Sequence, residues 1–187
     1  MTLTPINSGW IEVICGNMFS GKTEELIRRL RRAQIAKMPT AIFKPKIDSR
    51  FSKNHIVSHN NNKLESLMIS RPNEILELAK EYKVIGIDEV QFLDDSIVDV
   101  CKSLASQNKR VIAAGLDTDY LGKPFGPMPK IMCEADYLDK LRAICVLCGN
   151  PASYTQRTSS DADQVVLGEL DKYEARCRNC FKLPKDN

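Results

Sequence analysis

Gly16-Asn17-Met18-Phe19-Ser20-Gly21-Lys22-Thr23 matches G-x-x-x-x-G-K-[ST] at every specified position. Its neighbours supply the context that such a loop needs. Residues 10–15 (W-I-E-V-I-C) read as a buried strand running straight into the loop. The run Glu24 to Met38 reads as a helix, because Leu26, Ile27, Leu30 and Ala33 share one arc at 100° per residue, with Arg28, Arg29, Arg31 and Arg32 opposite. Strand, glycine loop and helix in this order form a polyphosphate cradle. Glycines let the backbone wrap the anion, the amides converge on its oxygens, and the helix N-terminus faces the same charge. In such a cradle Lys22 reaches the β- and γ-phosphates and the Thr23 hydroxyl ligates Mg²⁺. The eight residues Gly16, Asn17, Met18, Phe19, Ser20, Gly21, Lys22 and Thr23 are the predicted ATP site.

Outward from the loop, strands and helices alternate. Residues 40–44 (T-A-I-F-K) are a strand stopped by Pro45, Asn73 to Tyr82 a helix, 84–88 (V-I-G-I-D) a strand, Ser96 to Gln107 a helix and 110–115 (R-V-I-A-A-G) a strand. This alternation predicts parallel βαβ units and an α/β fold of the P-loop, RecA-like type, with a mainly parallel sheet flanked by helices. The strand 84–88 ends on Asp88, where a Mg²⁺-binding acid belongs, and Glu89 follows it. A carboxylate beside the metal can orient a nucleophile and accept its proton. That much defines an NTP·Mg²⁺ machine and leaves the phosphoryl acceptor open between water and an alcohol.

Past Leu116 the pattern changes to short segments punctuated by Gly, Pro and Cys, predicting a division at residue 140: a P-loop domain over 1–140 and a small lobe over 141–187. Cys145-x-x-Cys148 and Cys177-x-x-Cys180 have the pairing of a closed Cys₄ zinc ribbon, a structural site whose ion would pin the loop Gly149 to Arg176 at its base. The chain has 187 residues, a formal net charge of +3 and 43% hydrophobic residues, too mild a charge for nucleic acid or an anionic membrane as main partner. Met1 to Gly9 is polar and holds Pro5, so the expectation is a cytoplasmic protein with reduced thiols. Cys15, Cys101 and Cys133 read as ordinary thiols. The segment Phe51 to Lys63 reads as flexible, and its His55 and His59 receive no role.

Together these features resemble the thymidine kinase family found in bacteria, some viruses and the animal cytosol. The resemblance rests on Gly16–Thr23, Lys46-Ile47-Asp48-Ser49-Arg50, Asp88-Glu89-Val90-Gln91-Phe92, Lys123-Pro124-Phe125-Gly126, and the cysteine pairs flanking Asp171-Lys172-Tyr173. It implies ATP-dependent phosphorylation of the thymidine 5′-hydroxyl, with Glu89 as catalytic base. Asp48 and Arg50 lie near the phosphates and Gln91 at the nucleotide site in such a protein. Phe92, Leu116, Tyr120 and Phe125 line the nucleoside pocket. Gln164, Val165, Val166, Leu167 and Gly168 form a zinc-anchored lasso whose backbone reads the thymine edge, and Met18, Thr155 and Tyr173 lie near the base and its methyl. Asn17 stands where many members have proline, and Cys180 where some have histidine. The resemblance also implies a homotetramer inhibited by thymidine triphosphate. Two other readings remain at this stage: a kinase for another deoxynucleoside, and an ATPase that uses Arg28–Arg32 and the zinc ribbon on nucleic acid.

Overall fold

The computed structural model describes residues 8–46, 55–57, 63–158 and 172–183. Of the predicted site, Asp48, Arg50 and the lasso residues Gln164 to Gly168 lie outside the described residues, as does His59.

In chain order the elements are β1 (Trp10–Gly16), α1 (Lys22–Ile35), β2 (Thr40–Pro45), β3 (His55–Val57), β4 (Lys63–Glu65), β5 (Leu67–Ile69), α2 (Glu74–Leu78), β6 (Val84–Ile87), a 3₁₀ turn (Val90–Phe92), α3 (Ser96–Ser106), β7 (Arg110–Gly115), α4 (Met128–Glu134), β8 (Tyr137–Leu141), β9 (Ala143–Ile144), β10 (Pro151–Ala152), β11 (Tyr154–Arg157) and β12 (Tyr173–Arg176). Six strands make one sheet in the order β5-β2-β6-β7-β1-β8. Every pairing within it is parallel, for example Ile14↔Ala114 and Ile42↔Gly86. Parallel strands share one carboxyl edge, so the P-loop leaving β1 and the acids leaving β6 emerge on the same side.

Alternation along each strand divides the core between the two faces of the sheet. Ile14, Ile42, Val84, Ile112 and Ala114 face α1 and meet Leu26, Ile27, Leu30 and Ala33, the four residues that the helical period selects. Ile11, Val13, Cys15, Ile85, Ile87, Val111 and Ala113 face the other way, onto Ile75 of α2, Ile97, Val100, Cys101 and Leu104 of α3, and Met128 and Ile131 of α4. At the α1 face β6 carries Gly86, where a Cβ would lie 2.7 Å from Leu30 Cδ1. The missing side chain lets α1 pack close to β6, which brings the loop preceding the helix toward the end of that strand.

Several boundaries differ from the sequence reading. Helix α1 begins at Lys22 rather than Glu24, since the last two residues of the phosphate motif already form its first turn. Helix α2 is shorter than expected, five residues from Glu74. Strand β8 was not anticipated: its Y-L-D-K-L sequence forms an exposed edge paired only to β1, so no apolar run marks it. Within the segment read as flexible lies β3, which pairs antiparallel with β4 starting at the segment's last residue, Lys63. Among the described residues no helix is long and apolar enough to cross a membrane.

The polar face of α1 is not wholly solvent. Arg29 donates to Glu25 at 2.8 Å, to Asp139 at 2.5 Å and to Glu12 at 2.7 Å. Glu12 is buried on β1 and also accepts from Arg110 at 2.6 Å and from the Trp10 indole at 2.7 Å. Burial alone would raise the Glu12 pKa, and the donors from Arg110, Trp10 and Arg29 bring it below its ordinary value. The hydrogen bond from Arg28, opposed by burial and reinforced by the hydrogen bond from Arg29, holds Glu25 at about 2. A depressed carboxyl stabilises the fold fully above its ordinary 4.5 and loses that contribution as pH falls toward 2. The melting temperature should therefore fall more steeply between those two values in this protein than in Glu25→Gln; parallel acid limbs would exclude the linkage.

Candidate functional site

The phosphate loop is shaped by backbone conformations that few side chains accept. Gly16 has φ 145° and Gly21 φ 83°, and Phe19 adopts φ 67° without being glycine. A Cβ on Gly16 would meet the Leu141 carbonyl at 2.4 Å and Ser20 Oγ at 2.9 Å. Gly21 turns the chain into α1, whose first turn holds Glu24 and Glu25, acids that suit the helix dipole. Lys22 Nζ and Ser20 Oγ both donate to the Asn17 carbonyl at 2.8 Å. Burial lowers the Lys22 pKa, opposed by the charges of Glu89, Asp88 and Asp117.

Across from the loop, β6 delivers its acids as expected. Asp88 is buried, and its Oδ2 lies 3.5 Å from the donating Thr23 hydroxyl. Burial first, then the neighbouring charge of Glu89, raises the Asp88 pKa to about 7, against the cations Lys44 and Lys22 and the Glu89 N–H. Two oxygen ligands of different charge on facing segments are a donor set suited to a hard divalent cation. Glu89 is half-buried in the left-handed region at φ 55°, a strained backbone for a non-glycine residue and one found often at functional sites. Gln91, on the 3₁₀ turn, donates from Nε2 to Glu89 Oε2 at 2.5 Å and accepts from the Leu116 N–H at 2.9 Å.

Of the residues predicted to line the nucleoside pocket, Phe92 follows Glu89 on the same turn, its N–H donating to the Glu89 carbonyl at 3.1 Å. Phe92 and Phe125 pack edge to face with centroids 5.5 Å apart, and Leu116 follows the end of β7, its N–H on the Gln91 amide. Thr155 of β11 is buried, and its Oγ1 accepts from the Met18 N–H at 3.0 Å, joining the phosphate loop to the small lobe. Tyr120 and Tyr173 come together through a residue that the sequence reading passed over. The buried guanidinium of Arg157 lies 3.5 Å from the Tyr120 ring centroid and 5.3 Å from that of Tyr173, and it donates to the Tyr173 hydroxyl at 2.8 Å. An arginine alternating with Thr155 on one strand was the available signal. Asn17 is likewise more than a backbone donor. Its side chain is fully buried, donates to the Tyr154 carbonyl at 3.3 Å and accepts from the Ala143 N–H at 3.4 Å.

The predicted small lobe contains, among the described residues, two antiparallel strand pairs, β9–β10 and β11–β12. Cys145, Cys148, Cys177 and Cys180 meet at its base, with all four sulfurs within 4.8 Å of one another and Cys148 Sγ 3.5 Å from Cys177 Sγ. Each pair turns back on itself, Gly149 N–H donating to the Cys145 carbonyl at 2.9 Å and Cys180 N–H to that of Cys177 at 3.1 Å. Four thiolates bound to one zinc at about 2.3 Å would lie roughly 3.8 Å apart, so the cluster is close to the size that a tetrahedral ion requires.

Gly16→Ala should lose at least about tenfold in ATP affinity by titration calorimetry, because a Cβ there meets the Leu141 carbonyl of β8 and the Ser20 hydroxyl, and the start of the loop must move to relieve both. Unchanged affinity would show that the loop does not need the conformation seen.

Two comparisons bear on what this site belongs to. The family model described as thymidine kinase matches residues 9–181. A curated thymidine kinase from Rhodothermus sp. (strain ITI 518) is 55% identical over 177 residues, spanning 95% of this chain and 83% of that protein. The match runs through the phosphate loop, the acids at the end of β6 and the four clustered cysteines, and the chain belongs to the thymidine kinase family.

Proposed function

We propose that this chain is a thymidine kinase that transfers the γ-phosphoryl group of ATP to the 5′-hydroxyl of thymidine, giving dTMP for nucleoside salvage. One observation supports this above the others: the Glu89 carboxylate is held by a hydrogen bond from Gln91, its charge acts on the phosphate loop's Lys22, and its carbonyl accepts from the N–H of Phe92, which packs on Phe125. A hydrolase needs to orient only water there, whereas an apolar wall beside the base suits an alcohol attached to a flat ring.

In this reading the 5′-oxygen attacks the γ-phosphorus, the bond to the bridging oxygen breaks, ADP leaves and the proton passes to Glu89. A primary alcohol is far too weak an acid for a carboxylate to deprotonate at rest. Glu89 therefore orients the hydroxyl and takes its proton late, as suits a loose transition state. Lys22 and the phosphate-loop amides hold the polyphosphate, with Asp48 and Arg50 assigned beside it. Thr23 and Asp88 would hold Mg²⁺, which when bound neutralises charge on the β- and γ-oxygens. Phe92, Leu116, Tyr120, Phe125, Thr155, Tyr173 and Met18 would enclose the nucleoside, with the backbone of Gln164 to Gly168 reading the base edge. Edge hydrogen bonds reject cytosine strongly, whereas the methyl separating thymine from uracil is worth only about 1–3 kcal/mol. The cysteine cluster would hold a structural Zn²⁺. A cytoplasmic homotetramer inhibited by thymidine triphosphate completes the proposal, on family likeness alone.

The Arg29 ion pairs weigh against the nucleic-acid reading, since they occupy the middle of the basic stripe internally.

Glu89→Gln should lower turnover about a hundredfold or more with thymidine affinity retained. Near-normal turnover would remove Glu89 from the base role. Elemental analysis should find about one zinc per chain, and a chelator strong enough to remove it should lower both the melting temperature and thymidine affinity. A zinc-free protein of unchanged stability would contradict the structural role.

A further inference from the structure

Gln91 is 3% exposed and joins three separate segments. Its Oε1 accepts the Leu116 N–H at the end of β7, and its Nε2 donates to Glu89 beyond β6. Its backbone is hemmed by Gly126, where a Cβ would lie 2.3 Å from the Gln91 carbonyl oxygen, and its Oε1 by Gly115, where a Cβ would lie 2.7 Å away. The two hydrogen bonds fix the amide's orientation. A backbone N–H can only donate, so the atom facing Leu116 is the oxygen and the atom facing Glu89 is the NH₂ group.

That orientation has a chemical consequence at Glu89. The left-handed backbone at φ 55° does not by itself set the direction of the carboxylate, whose side-chain torsions are free to turn. The Gln91 donor engages one carboxylate oxygen at 2.5 Å and leaves the other available to a hydroxyl. The acceptor bond to Leu116 ties the same amide to a residue of the aromatic and aliphatic wall.

Resting on the thymidine kinase reading, we propose that Gln91 is the positioning residue for Glu89. It sets which carboxylate oxygen meets the 5′-hydroxyl, and the distance from that oxygen to the nucleoside wall. It works through Glu89 and touches neither nucleotide nor reacting atoms.

A double-mutant cycle in steady-state kinetics tests this, using Gln91→Leu, which keeps volume but removes both hydrogen bonds, together with Glu89→Ala. Misplacing the base costs on the order of tenfold to a hundredfold in kcat, so Gln91→Leu should lose that much with KM for ATP little changed. In the Glu89→Ala background the same substitution should have almost no further effect, since a residue acting through the base has nothing left to position. Gln91→Glu, of nearly equal size, keeps an acceptor but offers no amide donor, and it should lose kcat to a similar extent. This second variant also covers the case in which Gln91→Leu does not fold. A raised KM for ATP with kcat preserved would overturn the proposal and make Gln91 a nucleotide contact. Equal losses with and without Glu89 would overturn it in favour of a packing role. If the unmodified protein fails to phosphorylate thymidine, the functional reading itself fails. If it succeeds and Gln91→Leu keeps its kcat, only the positioning proposal falls.

Discussion

Two adjacent carboxylates at the end of β6, one of them buried, set the electrostatic constraint around which the site is arranged. Asp88 has lost most of its water and stands next to Glu89, and both effects push its pKa up to about 7. Such a pair is unfavourable unless cations or hydrogen-bond donors lie close. The fold supplies them from different directions. Lys22 comes from the helix after β1, Lys44 from β2, the Thr23 hydroxyl from the first turn of α1, and the Gln91 amide from the turn that follows. A parallel sheet brings all of these to one edge, and Gly86 lets α1 approach closely enough for its first turn to reach Asp88.

The second organising feature is the union of the phosphate loop with the small lobe. Asn17 bridges the Ala143 N–H and the Tyr154 carbonyl, and the Met18 N–H meets Thr155. The shape of the loop therefore depends on strands that lie far away in sequence. Those strands have little apolar core of their own: among the described residues their hydrophobic cluster is Ala143, Cys145, Ala152, Ala175 and Cys177. Alanines and cysteines bury too little area to order two short hairpins, which is the situation in which small folds use a metal. Tyr154 stacking on Phe181 at 4.6 Å, and Arg157 between Tyr120 and Tyr173, tie the lobe further into place.

How much of this was legible in the sequence follows from which interactions are local. The loop from Gly16 to Thr23, the buried face of α1, the apolar run into Asp88 and the cysteine pairs are all set by spacing, and each is found where the spacing puts it. Strand β8 was missed because an exposed edge strand needs no apolar alternation to be held by its single neighbour. Helix α4 was missed because seven residues that include Pro129 carry no clear period. The left-handed Glu89, the Gln91 clamp and the buried Asn17 amide depend on contacts made in the folded chain that no local pattern announces, and for Arg157 only its alternation with Thr155 hinted at an inward side chain. Gln91 was placed at the nucleotide site on resemblance, and its bonds to Glu89 and the Leu116 N–H were not foreseen.

The most direct test of the central claim is the rate of ATP consumption with each nucleoside added separately, and with none, the product being identified by mass. Consumption should be slow alone and rise sharply with thymidine, yielding thymidine monophosphate far faster than deoxycytidine yields its own monophosphate. ATP consumption that no nucleoside alters would leave the phosphate site standing and contradict the assignment of an alcohol to the wall beside Glu89.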